Sequence, residues 1–201
     1  MRIEMFGPPT SGKSALVREL RRRGLATGKL SLEADRSVLP QAWQAFADKL
    51  DWLYDAEGSS PLAGKFQVLP NKTLGALSAA AEAAALPWPV VYDELVMQCG
   101  LSIAIRVGTD EAAWRWYFET APLPDLLVSM TAPVEVLTAR NADRGDRDRT
   151  SKTLRTLKPA RRALEILNGR DCPIREFDTS TIPTAAIADQ VVREAAALCR
   201  K

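Results

Sequence analysis

The chain has 201 residues, 46% of them apolar and 26% charged, which suits one globular domain with a buried core and argues against a disordered tail or a fibre. Its 27 basic and 25 acidic residues leave a net charge of +2, so no global field announces a polyanionic partner, and no apolar run is long enough for a membrane span. Histidine is absent and the three cysteines, Cys99, Cys172 and Cys199, are scattered; this excludes histidine chemistry, argues against a zinc site or disulfide framework, fits a reducing cytoplasm, and leaves acid–base work to Asp and Glu.

Residues 2–6 read as a short buried strand stopped by Gly7, with no room ahead of it for a leader peptide. Leu16, Val17 and Leu20 share one face of a helix from Ser14 to about Gly24, and Arg21, Arg22 and Arg23 fall near its C-terminal end, where cations suit the dipole. A second strand is expected over 29–33, running into Glu33-Ala34-Asp35-Arg36. Helical spacing covers 39–56, Gly, Ser and Pro mark a loop over 57–65, and an Ala-rich helix covers 73–85. Trp88 to Tyr92 reads as a buried strand ending at Asp93-Glu94, followed by two helices, the second holding Trp114, Trp116, Tyr117 and Phe118. A fourth strand (125–130), a helix (133–143) with Pro133 in its first turn, a basic stretch from Arg140 to Arg162, a last strand (174–178) and a final amphipathic helix (184–198) complete the order. Strands alternating with helices predict an α/β fold: a parallel sheet with helices on both faces, in a single domain spanning 1–201.

The most specific signal is Gly7-Pro8-Pro9-Thr10-Ser11-Gly12-Lys13-Ser14, the spacing of a phosphate-binding loop placed between a strand and a helix. Glycines allow the tight wrap that aims backbone N–H groups at phosphates, Lys13 reaches the β/γ oxygens, Ser14 ligates magnesium, and the helix that follows adds its positive end. The nucleotide-binding set is therefore Gly7, Pro9, Thr10, Ser11, Gly12, Lys13, Ser14 and Ala15, with ATP and Mg2+ as cofactors.

Ligands in open parallel sheets sit beyond the C-terminal strand ends, where two acidic pairs fall. Asp93 has the position of the magnesium-holding acid, with Glu94 beside it on the substrate side. Glu33 or Asp35 could accept the proton of an attacking hydroxyl, with Arg36 steering the acceptor; the same pair would also serve as caps of the next helix. Arg140, Arg144, Arg147 and Arg149, interleaved with Asp143, Asp146 and Asp148, read either as a lid that closes on transferring phosphates (about 140–162) or as a solvated charge run. Arg140 and Arg144, on one helical face, are the catalytic candidates. Trp43, Trp52 and Tyr54, like the 114–118 cluster, could stack on a base or pack in the core.

The loop at the chain start, Asp93, Pro124-Asp125-Leu126-Leu127-Val128 leading to Pro133-x-Glu135-Val136-Leu137-x-x-Arg140-x-x-x-Arg144, and Asp178-Thr179-Ser180 together resemble the P-loop nucleoside and nucleotide kinases. The resemblance implies a five-stranded parallel sheet, an arginine lid and an adenine site near the loop after Asp178. Thymidylate kinases have Arg directly after the third-strand Asp and deoxynucleoside kinases a Glu-Arg pair, whereas Glu94 follows Asp93 here. Between Leu39 and Trp88 the cations are Lys49, Lys65 and Lys72, without the arginines that clamp an acceptor phosphate. Asp35-Arg36 is similar to the acid–Arg pair of polynucleotide 5′-hydroxyl kinases, and the compact Arg-rich chain also resembles phage kinases of 5-hydroxymethyluracil in DNA. These likenesses imply transfer to a hydroxyl of a nucleic-acid or nucleoside acceptor. A thymidylate-like nucleoside monophosphate kinase and a non-catalytic nucleotide-binding switch are the alternatives.

Overall fold

The computed structural model describes all residues except 30–34, 58–67, 108–110, 144–146 and 201, and the side chains of 52–57, 68–71, 107, 113 and 147–149 also lie outside the described set. In chain order the elements are β1 (Arg2–Phe6), α1 (Lys13–Arg22), β2 (Ala26–Thr27), a 3-10 turn (Arg36–Val38), α2 (Gln41–Glu57), α3 (Val68–Ala84), β3 (Val90–Tyr92), α4 (Val96–Val107), α5 (Glu111–Thr120), β4 (Leu126–Thr131), α6 (Val134–Ala142), α7 (Arg147–Asn168), β5 (Ile174–Asp178) and α8 (Thr184–Leu198). The five strands form one sheet in the order β2-β3-β1-β4-β5, with every pairing parallel.

Alternation along β1 sorts the core into two layers. Ile3 and Met5 face Leu16 and Leu20 of α1 and Ile187 and Val191 of α8. Phe6 faces the opposite layer, with Leu77, Met97, Trp114, Tyr117 and Phe118. On that second face Arg2 and Glu4 form an ion pair at 3.0 Å with both side chains buried. Glu4 also accepts the Met97 amide at 2.8 Å, which fixes the start of α4 against the sheet, and burial raises its pKa. The strand centre in front of the phosphate loop is thus packed on both sides.

The strand that pairs with Val90 and Val91 is Ala26–Thr27; the strand expected over 29–33 lies, apart from Lys29, outside the described residues. The ladder runs out at Gly28, whose N–H still donates to Val91 O at 2.9 Å. A Cβ there would meet the Tyr92 ring at 2.1 Å, so the partner's own side chain occupies the path a side-chain-bearing strand residue would need. Trp88 is outside β3 and 52% exposed; the following Pro89 has no N–H to give a ladder. The 140–162 stretch divides into the end of α6 and the first part of the 22-residue α7. Arg162 of α7 bonds Glu111 of α5 (2.7 Å), so its charge ties two helices together.

Candidate active site

Backbone conformation builds the phosphate loop. Gly7 (φ +131) leaves β1 so close to β4 that a Cβ would lie 2.2 Å from the Met130 carbonyl, and Gly12 (φ +96) turns the chain into α1. No other residue fits the first position without moving the sheet. Thr10 takes a positive φ as well (+60), and its hydroxyl reaches the carbonyls of Pro9 (2.6 Å) and Leu137 (3.1 Å). Gln98 of α4 accepts the Gly7 amide at 3.2 Å. Lys13 Nζ donates to the Gly7 and Pro8 carbonyls, both at 2.8 Å, folding over the loop it would serve. Burial pushes the Lys13 pKa down to about 8, against the pull of Asp93 and Glu94.

The Ser14 hydroxyl donates to Asp93 Oδ2 at 2.5 Å, joining the first turn of α1 to the residue that follows β3. Asp93 Oδ1 and Ser11 Oγ are buried with no hydrogen-bond partner. An orphan carboxylate oxygen beside a serine hydroxyl is the oxygen donor set a magnesium ion takes when it shares its shell with phosphates, so the residues fit that ion. Next to it Glu94 binds Lys72 Nζ at 2.6 Å. Burial would raise its pKa, but the Lys72 bond and charge prevail and hold it below the usual value.

These residues open on a cleft of about 490 Å³ lined by Pro9, Thr10, Gly12, Lys13, Ser14 and Ala15 from the loop and the start of α1, Asp93 and Glu94 from the turn after β3, and Arg18, Lys72, Gln98, Ser102, Ile105, Arg106, Lys152 and Thr156. Gly7 and the fully buried Ser11 stand behind this wall as its support. Most of the sequence-derived set converges here. Asp35 and Arg36 are not on the cleft wall: the Asp35 carboxylate caps the 3-10 turn, accepting Ser37 N (2.8 Å) and Oγ (2.6 Å), which lowers its pKa, and Arg36 pairs with Asp48 and Asp51 of α2. Glu33 and Arg144 lie outside the described residues, as do the side chains of Trp52, Tyr54, Arg147 and Arg149. Arg140 bonds Thr179 Oγ1 (2.9 Å), Thr179 O (2.8 Å) and Thr10 O (3.4 Å), tying the phosphate loop to the segment after β5. The aromatic residues divide toward packing. Trp114, Tyr117 and Phe118 are buried in edge-on contacts, Trp116 stacks on Phe46, and half-buried Trp43 carries the Arg2 guanidinium 5.3 Å above its ring.

Sequence reasoning missed Arg18, Gln98, Ser102, Arg106, Lys152 and Thr156. One signal was available: Gln98, Ser102 and Arg106 repeat every fourth residue in an otherwise apolar helix, which marks a polar stripe facing water or a ligand.

Fold and loop together define the class, an α/β phosphate-loop fold of the nucleoside-kinase type. Deoxyadenosine kinase from M. mycoides with dCMP and dCDP bound superposes with a TM-score of 0.65 at 12% identity over 98% of this chain and 100% of that one. The same enzyme with dATP gives 0.61 at 14% identity, covering 96% and 98%. YorR from Bacillus subtilis, in complex with phosphorylated GDP, gives 0.51 at 16% identity, covering 96% and 95%. At such identities the likeness establishes the fold. No family model and no curated protein matches the chain. Among the described residues no helix is long and apolar enough to cross a membrane.

Proposed function

We propose that the chain is an ATP-dependent phosphotransferase that moves the γ-phosphoryl group to a hydroxyl of a nucleoside or nucleic-acid acceptor. The observation that carries this reading is the Ser14–Asp93 bond with its buried, unpartnered Asp93 oxygen, set between Lys13 and Glu94 on one cleft wall.

Loop amides and Lys13 hold the β- and γ-phosphates, and Lys13 stabilises charge that grows on the bridging oxygen as its bond to the γ-phosphorus breaks. Ser14 and Asp93 would hold magnesium, which when bound neutralises the β/γ oxygens. Glu94 is the described carboxylate that lines the cleft without being assigned to the metal. It is ionised, as its lowered pKa requires, and takes the acceptor's hydroxyl proton as the new O–P bond forms and ADP leaves. Arg140 keeps the loop and the segment after Asp178 in register for the nucleotide. The acceptor base thus moves from Asp35, which serves a local turn, to Glu94; Glu33 is the comparison residue.

Glu94→Gln should lower kcat by about 10²–10⁴ with little change in the KM for ATP, whereas Asp35→Asn should change kcat less than about threefold. A Glu94→Gln enzyme with normal turnover, beside a Glu33→Gln enzyme that has lost it, would remove Glu94 from this role. A fully folded wild type that labels no hydroxyl acceptor from γ-labelled ATP would remove the whole reading.

A further inference from the structure

The outer wall of the cleft points to what else the acceptor carries, an inference that rests on the phosphotransferase reading. Gln98 holds the phosphate loop through Gly7, and Ser102 and Arg106 follow it at i+4 and i+8, so one face of α4 extends about 12 Å outward from the loop. Lys152 and Thr156 of α7 line the same trench at i and i+4. Arg155 Nη2 donates to the Ile105 carbonyl at 2.7 Å, pinning α7 against the end of α4, so the two helices hold their cations in fixed relation.

The described lining residues include five cations, Lys13, Arg18, Lys72, Arg106 and Lys152, against two carboxylates. Lys72 is matched to Glu94, and Lys13 and Asp93 belong to the donor phosphates. The cations left unassigned are Arg18, Arg106 and Lys152, of which Arg106 of α4 and Lys152 of α7 face the trench between the two helices, with Lys152 near enough to Lys13 and Glu94 for both to feel its charge. No aromatic ring is among the described lining residues, and Ile105 is the one large aliphatic side chain there. Point charges and hydroxyls along this wall are the chemistry that grips phosphate.

We propose that Arg106 and Lys152 form a subsite for a phosphate group carried by the acceptor, a molecule that presents its hydroxyl at Glu94 and its phosphate farther along the trench. A nucleoside 3′-monophosphate and a nucleic-acid strand with a free 5′-hydroxyl both have this layout. The shortage of arginines between Leu39 and Trp88 does not weigh against such an acceptor, because these cations come from α4 and α7.

The test compares the full chain and its Arg106→Ala, Arg106→Lys and Lys152→Ala variants on thymidine, thymidine 3′-monophosphate and a 5′-hydroxyl oligothymidylate. Wild type should favour at least one phosphate-bearing acceptor over thymidine by tenfold or more in kcat/KM. Arg106→Ala should cut that preference by about 10–100-fold, the size of a lost charge-assisted bond, and Arg106→Lys should restore part of it. Preference for the oligonucleotide assigns the phosphate to a strand and preference for the 3′-monophosphate to a small nucleotide; either supports the subsite. Equal kcat/KM on all three acceptors, or a preference that neither alanine variant alters, overturns it. Fluorescence anisotropy of labelled oligothymidylate without ATP separates this inference from the one beneath it. Salt-dependent binding that weakens in Arg106→Ala, with no transfer to any acceptor, would retain the subsite and remove the kinase reading. Transfer to thymidine alone would retain the kinase and remove the subsite.

Discussion

The phosphate loop follows β1 directly and the turn at Asp35 lies farther along the chain from β2, and their polar groups are disposed in opposite ways. In the loop, Ser11 Oγ and Asp93 Oδ1 are buried without partners, and Lys13 is held over backbone carbonyls in surroundings that lower its pKa. At the turn every charge is satisfied nearby, Asp35 by Ser37 and Arg36 by Asp48 and Asp51. Buried polar groups left without partners cost stability, so the first region keeps donors and acceptors that a ligand can use and the second is satisfied within itself. Asp93 is a site candidate through the oxygen left without a partner, whereas Glu94, paired with Lys72, is one through its place on the cleft wall.

Breaking the loop side of this contrast should give the largest effects. Lys13→Ala should lower kcat by at least about 10³-fold while thermal unfolding shifts only slightly, because Lys13 acts on charge developing at the transferred group and contributes little to the core. Asp93→Asn comes next. It should reduce turnover by about 10²-fold or more and move the magnesium titration to higher concentration, since an amide is a poor ligand for a hard dication; a normal titration would make Asp93 a turn residue.

Gly7→Ala tests the architecture beneath the chemistry. Its Cβ would fall 2.2 Å from the Met130 carbonyl at a φ of +131, so the variant should lose more than about 1 kcal/mol of stability, read as a lower denaturation midpoint. Gly24→Ala, at a positive φ with no atom within 4 Å of the added carbon, should be much milder.

Proton linkage gives a gentler probe. The Lys13 pKa is about 8 in the free protein, and bound phosphates would raise it. The ammonium's contribution to ATP affinity is then fully present below pH 8 and is lost as pH rises above it. Binding near pH 8 should take up about half a proton, measurable by calorimetry in buffers of different ionisation enthalpy. Lys13→Met should abolish the uptake. The smallest effect is expected at Arg140→Ala, where loss of the Thr10 and Thr179 bonds should raise the KM for ATP a few-fold with kcat nearly constant.

What the sequence makes legible follows from how local the cause is. Gly7 through Ser14 is one continuous segment whose spacing states its own conformation, and Asp93 follows an apolar run that can only be a buried strand. Four of the five strands fall close to where β-forming residues and flanking turns put them. The two-residue β2 at Ala26–Thr27 has no local signal of its own, since its extent depends on pairing with β3 and on where the Tyr92 ring lies. The outer trench is illegible for the same reason. Arg106 and Lys152 are far apart in sequence and line one cleft only because α7 packs on α4, whereas Asp35-Arg36 looked like a pair because the two are neighbours in sequence. Asp48 and Asp51, three residues apart on one face of α2, were the available hint that Arg36 had partners of its own.

The central claim is that this cleft transfers a phosphoryl group to a hydroxyl. The most direct measurement incubates wild type and Lys13→Ala with γ-labelled ATP, magnesium and a mixture of thymidine, thymidine 3′-monophosphate and a 5′-hydroxyl oligonucleotide, then separates the products. Label should pass to at least one acceptor hydroxyl with wild type and to none with Lys13→Ala. Label released only as inorganic phosphate, or acceptor labelling that survives the loss of Lys13, would contradict the account.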